Sequence, residues 1–246
     1  TIIGAGPGGL YFALLAKKEW PAYEITVYER NRADDTFGFG VVFSDETLGI
    51  FRDYDRRSYE MIRRNFAYWD DVEIVYKGEA LRVAGNGFAG CSRKSLLLLL
   101  QKRCRELGVT IHFEYEFEPA YLEQAPFASC DLIVAADGIN SKIRRAFEAE
   151  FGTRVEWQRN KFCWLGSTRL FDEFVYFFRE TEHGIMLAHC YQYAPNASTW
   201  IIEMSPETWA AHGFGEMEEA EYTAELEKIF AEELAGHTFI TNSSLW

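Results

Sequence analysis

The chain has no positive charge to spare. Its 246 residues carry 25 Lys and Arg against 38 Asp and Glu, a formal net charge of −13. Without a basic stripe, neither nucleic acid nor an anionic membrane is an expected partner. Long apolar runs are missing too, and the longest obvious one, Leu96 to Leu100, falls far short of a membrane span. The five cysteines, Cys91, Cys104, Cys130, Cys163 and Cys190, never stand in C-x-x-C spacing. That pattern predicts reduced thiols, a cytoplasmic location and no metal site. No Ser-His-Asp or Cys-His arrangement and no carboxylate pair stands out, so hydrolytic chemistry has no support. Internal repeats and low-complexity segments are also lacking.

What the chain does have begins at Thr1 to Gly9, TIIGAGPGG. Apolar Ile2 and Ile3 precede Gly4, Gly6 and Gly9 in G-x-G-x-x-G spacing, and Leu10 to Ala16 then place apolar residues along one helix face. This reads as a strand, a tight turn and a helix start. The first glycine permits the turn, the second lets a pyrophosphate approach the backbone, and the third lets helix and strand pack closely. The helix start offers free N–H groups and a positive dipole end to phosphates. About twenty positions past Gly9, Glu29 ends a second strand-like run, Glu24 to Tyr28, where a carboxylate accepts the hydroxyls of an adenosine ribose. A glycine turn that binds nothing is the plain alternative.

Asn31 to Ser44 is a glycine-punctuated loop in which Gly38 and Gly40 alternate with Phe37 and Phe39. Either the backbone approaches something flat or bulky there, or the loop is simply flexible. Thr47 to Phe66 reads as helix, broken at Asp53-Tyr54-Asp55. Around Lys77-Gly78-Glu79, the alternation of Val72, Ile74 and Tyr76 with Leu81 and Val83 predicts a hairpin over Asp71 to Ala84 with one buried face. Gly85 to Gly90 leads out of it. Ser92 then caps a helix over Arg93 to Leu107, with Leu96 to Leu100 and Cys104 on its buried side and Lys102, Arg103 and Glu106 in water. Gly108 ends that helix, and Val109, Ile111 and Phe113 begin a strand.

Leu132 to Ala136 is a continuous apolar run, which predicts a central strand covered on both faces. It runs into Asp137-Gly138, at the carboxyl end where open α/β sheets place ligands. From Val155 the chain turns to aromatic-rich strands at 162–165, 174–178, 185–189 and 199–204, joined by short turns into a mainly antiparallel sheet. An acidic amphipathic helix, Glu216 to Leu234, follows and ends at Gly236.

In order and spacing, G-A-G-P-G-G, Glu29-Arg30, Arg93 opening a helix and Asp137-Gly138-x-x-Ser141-x-x-Arg144 resemble the class A flavin-dependent aromatic hydroxylases, the para-hydroxybenzoate hydroxylase fold group. A nicotinamide dehydrogenase shares the first motif but not the D-G-x-x-S-x-x-R segment. The blocks ERNRADDTFGFGVVFSDETLG, GFAGCSRKSLLLLLQKRC, AADGINSKIR, NKFCWLGSTRLFD and FRETEHG narrow the resemblance to the aryl-CoA monooxygenases. These are the monooxygenase part of salicylyl-CoA 5-hydroxylase and 2-aminobenzoyl-CoA monooxygenase/reductase, and the resemblance spans essentially the whole chain. The tryptophan hydroxylase of violacein biosynthesis is similar at a greater distance.

The resemblance implies an α/β fold, with a Rossmann-like FAD-binding domain over 1–70 and 86–154 interleaved with a mainly antiparallel β-sheet substrate domain over 71–85 and 155–246. It assigns Gly4, Gly6, Pro7, Gly8 and Gly9 to the FAD pyrophosphate, and Glu29 to the adenosine ribose with Arg30 beside the adenine. Phe39, Gly40 and Val41 fall on the loop beside the flavin ring, and Arg93 on the FAD phosphates or ribityl chain. Asp137 and Gly138 fall on FAD and on the side that faces NAD(P)H. The alternatives are a solvent-exposed helix-start cation for Arg93, and a helix cap or turn support for Asp137, Ser141 and Arg144.

The implied activity is that of an aromatic-ring monooxygenase using NADH or NADPH, FAD and oxygen. It acts on an electron-rich ring para to a hydroxyl or amino group, while the protein positions the rings and excludes water. Trp164, Phe174, Tyr176, Phe178 and Trp200 are candidate walls for a flat substrate, about half of which strand alternation assigns to the core. No catalytic residue is singled out. His183 and His189 either orient a phenol or thioester or are merely packed. A CoA ester requires a local basic patch, for which Arg52, Arg56, Arg57, Arg63 and Arg64 are the candidates.

The rival readings are a hydroxylase of an indole or free aromatic acid, and a truncated flavin-binding domain without activity. The fold group also has a later Gly-Asp segment at the flavin ribityl chain, and no Gly-Asp dipeptide occurs here. Thr1 sits inside a strand, and Thr241 to Trp246 brings neither cap nor tail. We therefore expect the sequence to be truncated at both ends, the parent carrying the missing segment and a C-terminal reductase-like domain.

Overall fold

The computed structural model describes residues 1–35 and 38–242, with the side chain of Asn86 left out. Phe37, half of the Phe/Gly alternation, and the terminal Ser243–Trp246 lie outside the described residues. In chain order the elements are β1 (Ile2–Ile3), α1 (Pro7–Glu19), β2 (Thr26–Tyr28), β3 (Gly40–Ser44), α2 (Asp45–Tyr54), α3 (Arg56–Arg63), β4 (Ala67–Tyr76), β5 (Glu79–Ser92), α4 (Arg93–Glu106), β6 (Thr110–His112) and β7 (Val134–Ala135). They continue with α5 (Lys142–Ala146), α6 (Glu148–Phe151), β8 (Lys161–Ser167), β9 (Phe174–Thr181), β10 (Gly184–Ala194), β11 (Ala197–Met204), α7 (Pro206–Ala211), α8 (Glu219–Ile229), α9 (Ala231–Leu234) and β12 (Phe239–Ile240). Two compact units share them, one built from Thr1–Asp35, Phe51–Ile62 and Lys94–Glu156, the other from Thr36–Ile50, Arg63–Arg93 and Trp157–Trp246.

The first unit is built on a four-stranded parallel sheet in the order β6-β2-β1-β7. Helix α1 buries Leu10, Ala13 and Leu14, the i, i+3, i+4 stripe of an amphipathic helix. Helix α4 buries Leu96, Leu97, Leu100 and Cys104, and the Cys104 thiol donates to Leu10 O at 3.2 Å. Each such aliphatic side chain, fully buried, contributes about 1.5–3 kcal/mol.

Two expectations are corrected in this unit. Arg103 does not face water. Its Nε and Nη2 donate to the two oxygens of Asp55 at 2.9 and 3.0 Å, and Lys18 Nζ stands 2.9 Å from Asp55 Oδ1. Burial raises the Asp55 pKa, but the hydrogen bonds from Arg103, Lys18 and the Ser58 N–H outweigh it and hold the carboxylate well below its usual range. The run Leu132 to Ala136, read as a central strand, is instead the edge of the described sheet. Only Val134–Ala135 pair, and Leu132 is 62% exposed. Apolar composition reported strand character there but not position in the sheet.

The second unit is an eight-stranded sheet in the order β12-β8-β11-β10-β9-β4-β5-β3, antiparallel except for the parallel β4–β9 pair. The predicted hairpin turns at Lys77 and Gly78, whose φ values of 53° and 78° give the doubly left-handed turn that matches strand twist. Gly85 to Gly90 does not leave the sheet. Strand β5 runs on to Ser92 across a bulge at which the register passes from Asp71↔Ala84 to Trp69↔Phe88, with Gly85 at φ +83°. Leu81 and Val83 are exposed, so the hairpin face expected to be buried is open towards its tip.

One face of the sheet carries Leu165, Phe177, Met186 and Trp200, packed against Tyr222, Leu226 and Phe230 of the C-terminal helical stretch. That stretch, read as one helix, is two. The chain breaks at Phe230, fully buried in this core, and α9 ends on Ala235 in the left-handed conformation. No helix among the described residues is long and apolar enough to cross a membrane.

Candidate functional site

The glycine turn of the first unit contains two kinds of glycine. Gly4 has φ +107°, and a Cβ there would lie 2.2 Å from Ala136 O; a Cβ on Gly9 would lie 2.1 Å from Gly4 O. These two are required by the protein's own packing. Gly6 and Gly8 differ, because a Cβ on either would meet nothing within 4 Å. Gly6 is the N-cap of α1 and supplies no side-chain cap, Pro7 occupies the first turn, and no acidic residue stands there. The result is an uncapped helix N-terminus with open space in front of it, chemistry suited to an anion.

Glu29 follows β2 and faces this turn. Its Oε2 accepts from the Ala5 N–H at 2.7 Å, and its Oε1 accepts from the Asn31 N–H and Nδ2 at 2.9 Å each. Arg30 beside it is exposed. Asp137 is engaged in a turn, accepting from Ser141 Oγ at 2.6 Å and from the Lys142 N–H at 2.9 Å. Ser141 Oγ in turn accepts from the Arg144 N–H, and Arg144 Nη2 donates to Ile139 O. In this D-G-x-x-S-x-x-R segment the carboxylate, hydroxyl and guanidinium all brace the start of α5. Gly138, at φ +85°, has open space over it.

In the second unit the segment 38–41, which runs into the start of β3, lies on the sheet face opposite Trp200. A Cβ on Gly38 would sit 2.7 Å from the Trp164 ring, one on Gly40 2.4 Å from Tyr193, and one on Gly166 2.7 Å from Phe39. The flat groups that these glycines approach are the protein's own aromatic rings. Gly40 N–H donates to Thr199 Oγ1 at 3.0 Å and Gly40 O accepts from the Tyr191 hydroxyl at 3.0 Å, both buried; Val41 pairs with Cys91. Arg93 N–H donates to Phe39 O. Arg93 Nε is buried with no hydrogen-bond partner among the described residues.

Strand register sorts the aromatic candidates. Trp200 is core, whereas Trp164, Tyr176 and Phe178 share the other face with Ile201, Leu187 and His189. Phe174 is on that face too, but buried against Tyr191. Two residues the sequence reading passed over are polar members of this face or hold one. Glu203 Oε2 stands 3.6 Å from His189 Nε2, and Asn160 Nδ2 donates to Glu203 Oε1 at 2.8 Å. Register was the missing signal, since Glu203 becomes a neighbour only when β11 is laid against β10. Burial lowers the His189 pKa, with Glu203 opposing. His183 instead lies at the β9–β10 turn, edge-on to His212. Of the arginine candidates, Arg52, Arg56 and Arg57 pair with Asp53, Glu60 and Glu106, while Arg63 and Arg64 are exposed.

No protein-family model matches the chain. Salicyloyl-CoA 5-hydroxylase of a Streptomyces species is 40% identical over 253 residues, covering 99% of this chain and 48% of its own length. The chain is a homologue of the aromatic monooxygenases. Protodeoxyviolaceinate monooxygenase of Chromobacterium violaceum is 35% identical over 99% of this homologue and 65% of its own length. The 3-hydroxy-4-methyl-anthranilyl-[aryl-carrier protein] 5-monooxygenase of Streptosporangium sibiricum is 31% identical over 99% and 64%. The monooxygenase homologue thus spans about half the length of the first of these relatives and just under two thirds of the others. Its fold is that of solved FAD-dependent aromatic monooxygenases. 2-Methyl-3-hydroxypyridine-5-carboxylic acid oxygenase superposes with a TM-score of 0.70 at 17% identity, over 97% of this chain and 68% of its own. For p-nitrophenol 4-monooxygenase of Pseudomonas putida the values are 0.73, 14%, 99% and 66%. The α/β fold of para-hydroxybenzoate hydroxylase type expected from the sequence is the one observed.

Proposed function

We propose that this chain is the flavin-holding and substrate-facing part of an NAD(P)H-dependent monooxygenase that hydroxylates the aromatic ring of an aryl thioester, of the salicyloyl-CoA or 2-aminobenzoyl-CoA type. The observation that carries the reading is the 40% identity with salicyloyl-CoA 5-hydroxylase along 99% of the chain. The carrier-protein substrate in the name of a second relative adds to it, since both names describe an aryl group on a thiol carrier. The 35% identity with protodeoxyviolaceinate monooxygenase favours a second reading, in which the substrate is an indole-derived acid and no thioester is involved.

The residues present fit FAD. The first unit serves as the dinucleotide domain. Gly6 and Gly8 leave room for the pyrophosphate at the uncapped start of α1, Gly4 and Gly9 shape that turn, and Pro7 gives up no needed donor. Glu29 has carboxylate lone pairs left for a ribose, with Arg30 beside it. Asp137 holds the turn that presents Gly138 to the cofactor and to the nicotinamide. In the second unit Phe39, Gly40 and Val41 border the flavin ring, and the orphaned Nε of Arg93 finds a phosphate or ribityl oxygen. When bound, FAD supplies the redox and oxygen-activating chemistry. The chain's own contribution is to hold the aromatic ring on the face of Trp164, Tyr176 and Phe178 and to keep water from it.

The test is to purify the protein with its natural downstream sequence, add FAD, and follow NADH and NADPH oxidation with and without salicyloyl-CoA and protodeoxyviolaceinate. Oxidation stimulated by the thioester, with hydroxylated product, is the expected result. Stimulation by the free acid alone selects the second reading. A protein that takes up no FAD sinks both.

A further inference from the structure

We infer that His189 and Glu203 form a proton-accepting pair for a ring hydroxyl of the aromatic substrate, with His189 as the base and Glu203 as its positioning residue. The inference rests on the monooxygenase reading above and adds to it the group that activates the ring.

The pair stands out by its surroundings. On β10 the residues of the open face alternate Leu187, His189, Tyr191; across the strands His189 faces Tyr176 on one side and Ile201 on the other, and Glu203 faces Leu187 and Phe162. Among Trp164, Tyr176, Phe178, Leu187 and Ile201, a histidine and a carboxylate whose side chains are 24% and 35% exposed give up part of a hydration that apolar residues at the same positions would not need. The opposite face of the same strands packs as an apolar core around Trp200, with its charge held in the ion pairs of Arg179 with Glu232 and Glu233.

The geometry is that of an oriented base. Asn160 fixes Glu203 through Oε1, leaving Oε2 turned to His189 Nε2 at 3.6 Å. Tyr176 packs edge-on against the imidazole, with centroids 5.0 Å apart at 67°, and this sets the ring plane. At that separation Nε2 makes no hydrogen bond among the described residues, but the nearby carboxylate favours the tautomer with its proton on Nε2 and its lone pair on Nδ1. Burial disfavours the imidazolium, so the ring is neutral and able to accept. The titratable groups facing it are Tyr176 from β9, Glu203 from β11 and Tyr191 on its own strand, and burial raises the pKa of both tyrosines. Among the described residues facing His189, Glu203 is the charged group that answers a proton arriving on it.

The pair also sits where an activated ring is needed. Tyr191 is the next residue on this face, about 7 Å along the strand, and its hydroxyl holds Gly40 O at the start of β3, in the segment proposed to border the flavin. One aromatic ring spans that interval. In the step, the substrate O–H bond breaks and its electron pair stays on oxygen. The proton forms an N–H bond at Nδ1, and the imidazolium is balanced by Glu203 across Nε2. The aryl oxide so formed is richest in electrons ortho and para to the oxygen, the positions an electrophilic oxygen donor attacks.

The experiment is binding of salicyloyl-CoA to the FAD-loaded protein, read by the ultraviolet difference spectrum of its aryl oxide across a pH series, with benzoyl-CoA as the thioester lacking the hydroxyl. Wild type is expected to bind salicyloyl-CoA with the aryl-oxide signal at a lower pH than in water. His189→Asn loses that signal and about tenfold in affinity for salicyloyl-CoA, one charge-assisted hydrogen bond, with benzoyl-CoA unchanged. Turnover of the same variant falls about 10²-fold or more. Glu203→Gln keeps the signal but moves it to higher pH, because the imidazole becomes a weaker base, an effect that a purely structural glutamate would not produce. An aryl-oxide signal equal in wild type and both variants overturns the pair and leaves the monooxygenase reading standing. A wild type that binds neither thioester overturns both.

Discussion

Replacing Gly6 with alanine separates flavin binding from folding. Gly6 has φ −67° and ψ 172°, a conformation open to any residue, and its added methyl meets no protein atom within 4 Å. Two small terms of opposite sign act on stability. Lower entropy of the unfolded chain favours the variant by about 0.4–1 kcal/mol, and a poorer N-cap costs about as much. The melting temperature is therefore expected to stay within about 3 °C of the parent, at roughly 2–4 °C per kcal/mol for a chain of this size. Binding is different, because the methyl occupies the space proposed for the pyrophosphate. Losing one or two backbone N–H bonds to a charged phosphate, at about 1.5–3 kcal/mol each, weakens FAD affinity by about 10- to 10⁴-fold. Gly9→Ala is the control: its Cβ would be 2.1 Å from Gly4 O and 3.2 Å from Ala136 Cβ, so it destabilises the fold whether or not FAD is present. The assay is titration with FAD followed by flavin fluorescence, alongside thermal unfolding by circular dichroism. A Gly6→Ala protein that binds FAD within threefold of the parent refutes the placement of the pyrophosphate, and one that unfolds like Gly9→Ala refutes the reading of the turn itself.

Removing the Asp55 carboxylate with Asp55→Ala leaves Arg103 and the Ser58 N–H without their acceptor, and is expected to cost about 3–5 kcal/mol. Because the folded pKa is depressed, this contribution is complete above the unfolded value near 3.9 and fades as pH falls below it. Melting curves of variant and parent should therefore converge in acid, and a constant gap across the pH range refutes the assignment. Arg93→Met removes a guanidinium whose Nε has no described partner; we expect FAD affinity to fall about tenfold with no loss of thermal stability, and unchanged affinity counts against a cofactor role. Neutralising Arg56 and Arg57 together, which touches only exposed ion pairs, should leave stability within about 1 kcal/mol. It should raise the apparent binding constant for the CoA ester but not for its free acid, and an equal effect on both rejects the patch.

Local chemistry was legible in the sequence, and long-range pairing was not. The turn at Gly4–Gly9, the helix after it, the break before Asp55 and the Lys77-Gly78 hairpin are each determined within a few residues, so spacing and residue type disclosed them. Edge and centre cannot be told apart that way: Leu132–Ala136 is as apolar as a central strand, yet β7 pairs on one side only among the described strands. Arg103 falls on what helical periodicity reads as the wet side of α4, and only the placement of Asp55 beside it makes burial favourable. Glycine misled in β5, where Gly85 marks a bulge inside a strand and not its end. At the candidate site the glycines and Glu29 were readable as a motif. Glu203 and Asn160 were not, because 43 residues separate Asn160 from Glu203 and neither belongs to a spacing pattern.

The pairing of Ile2 with both Val27 and Val134 sets a timetable for the growing polypeptide. The strand–turn–helix–strand segment has all its parts once Tyr28 has been made, and its contacts are local enough to form early. The wall against Gly4 is Ala136, which arrives roughly a hundred residues later, about 5–20 s at ordinary rates of translation. Through that interval the nascent segment holds its glycine loop without the backbone that closes it. Closure of the glycine turn is thus a late event in biosynthesis, and a ribosome stalled before residue 136 carries a segment with the motif but without the backbone that packs against Gly4.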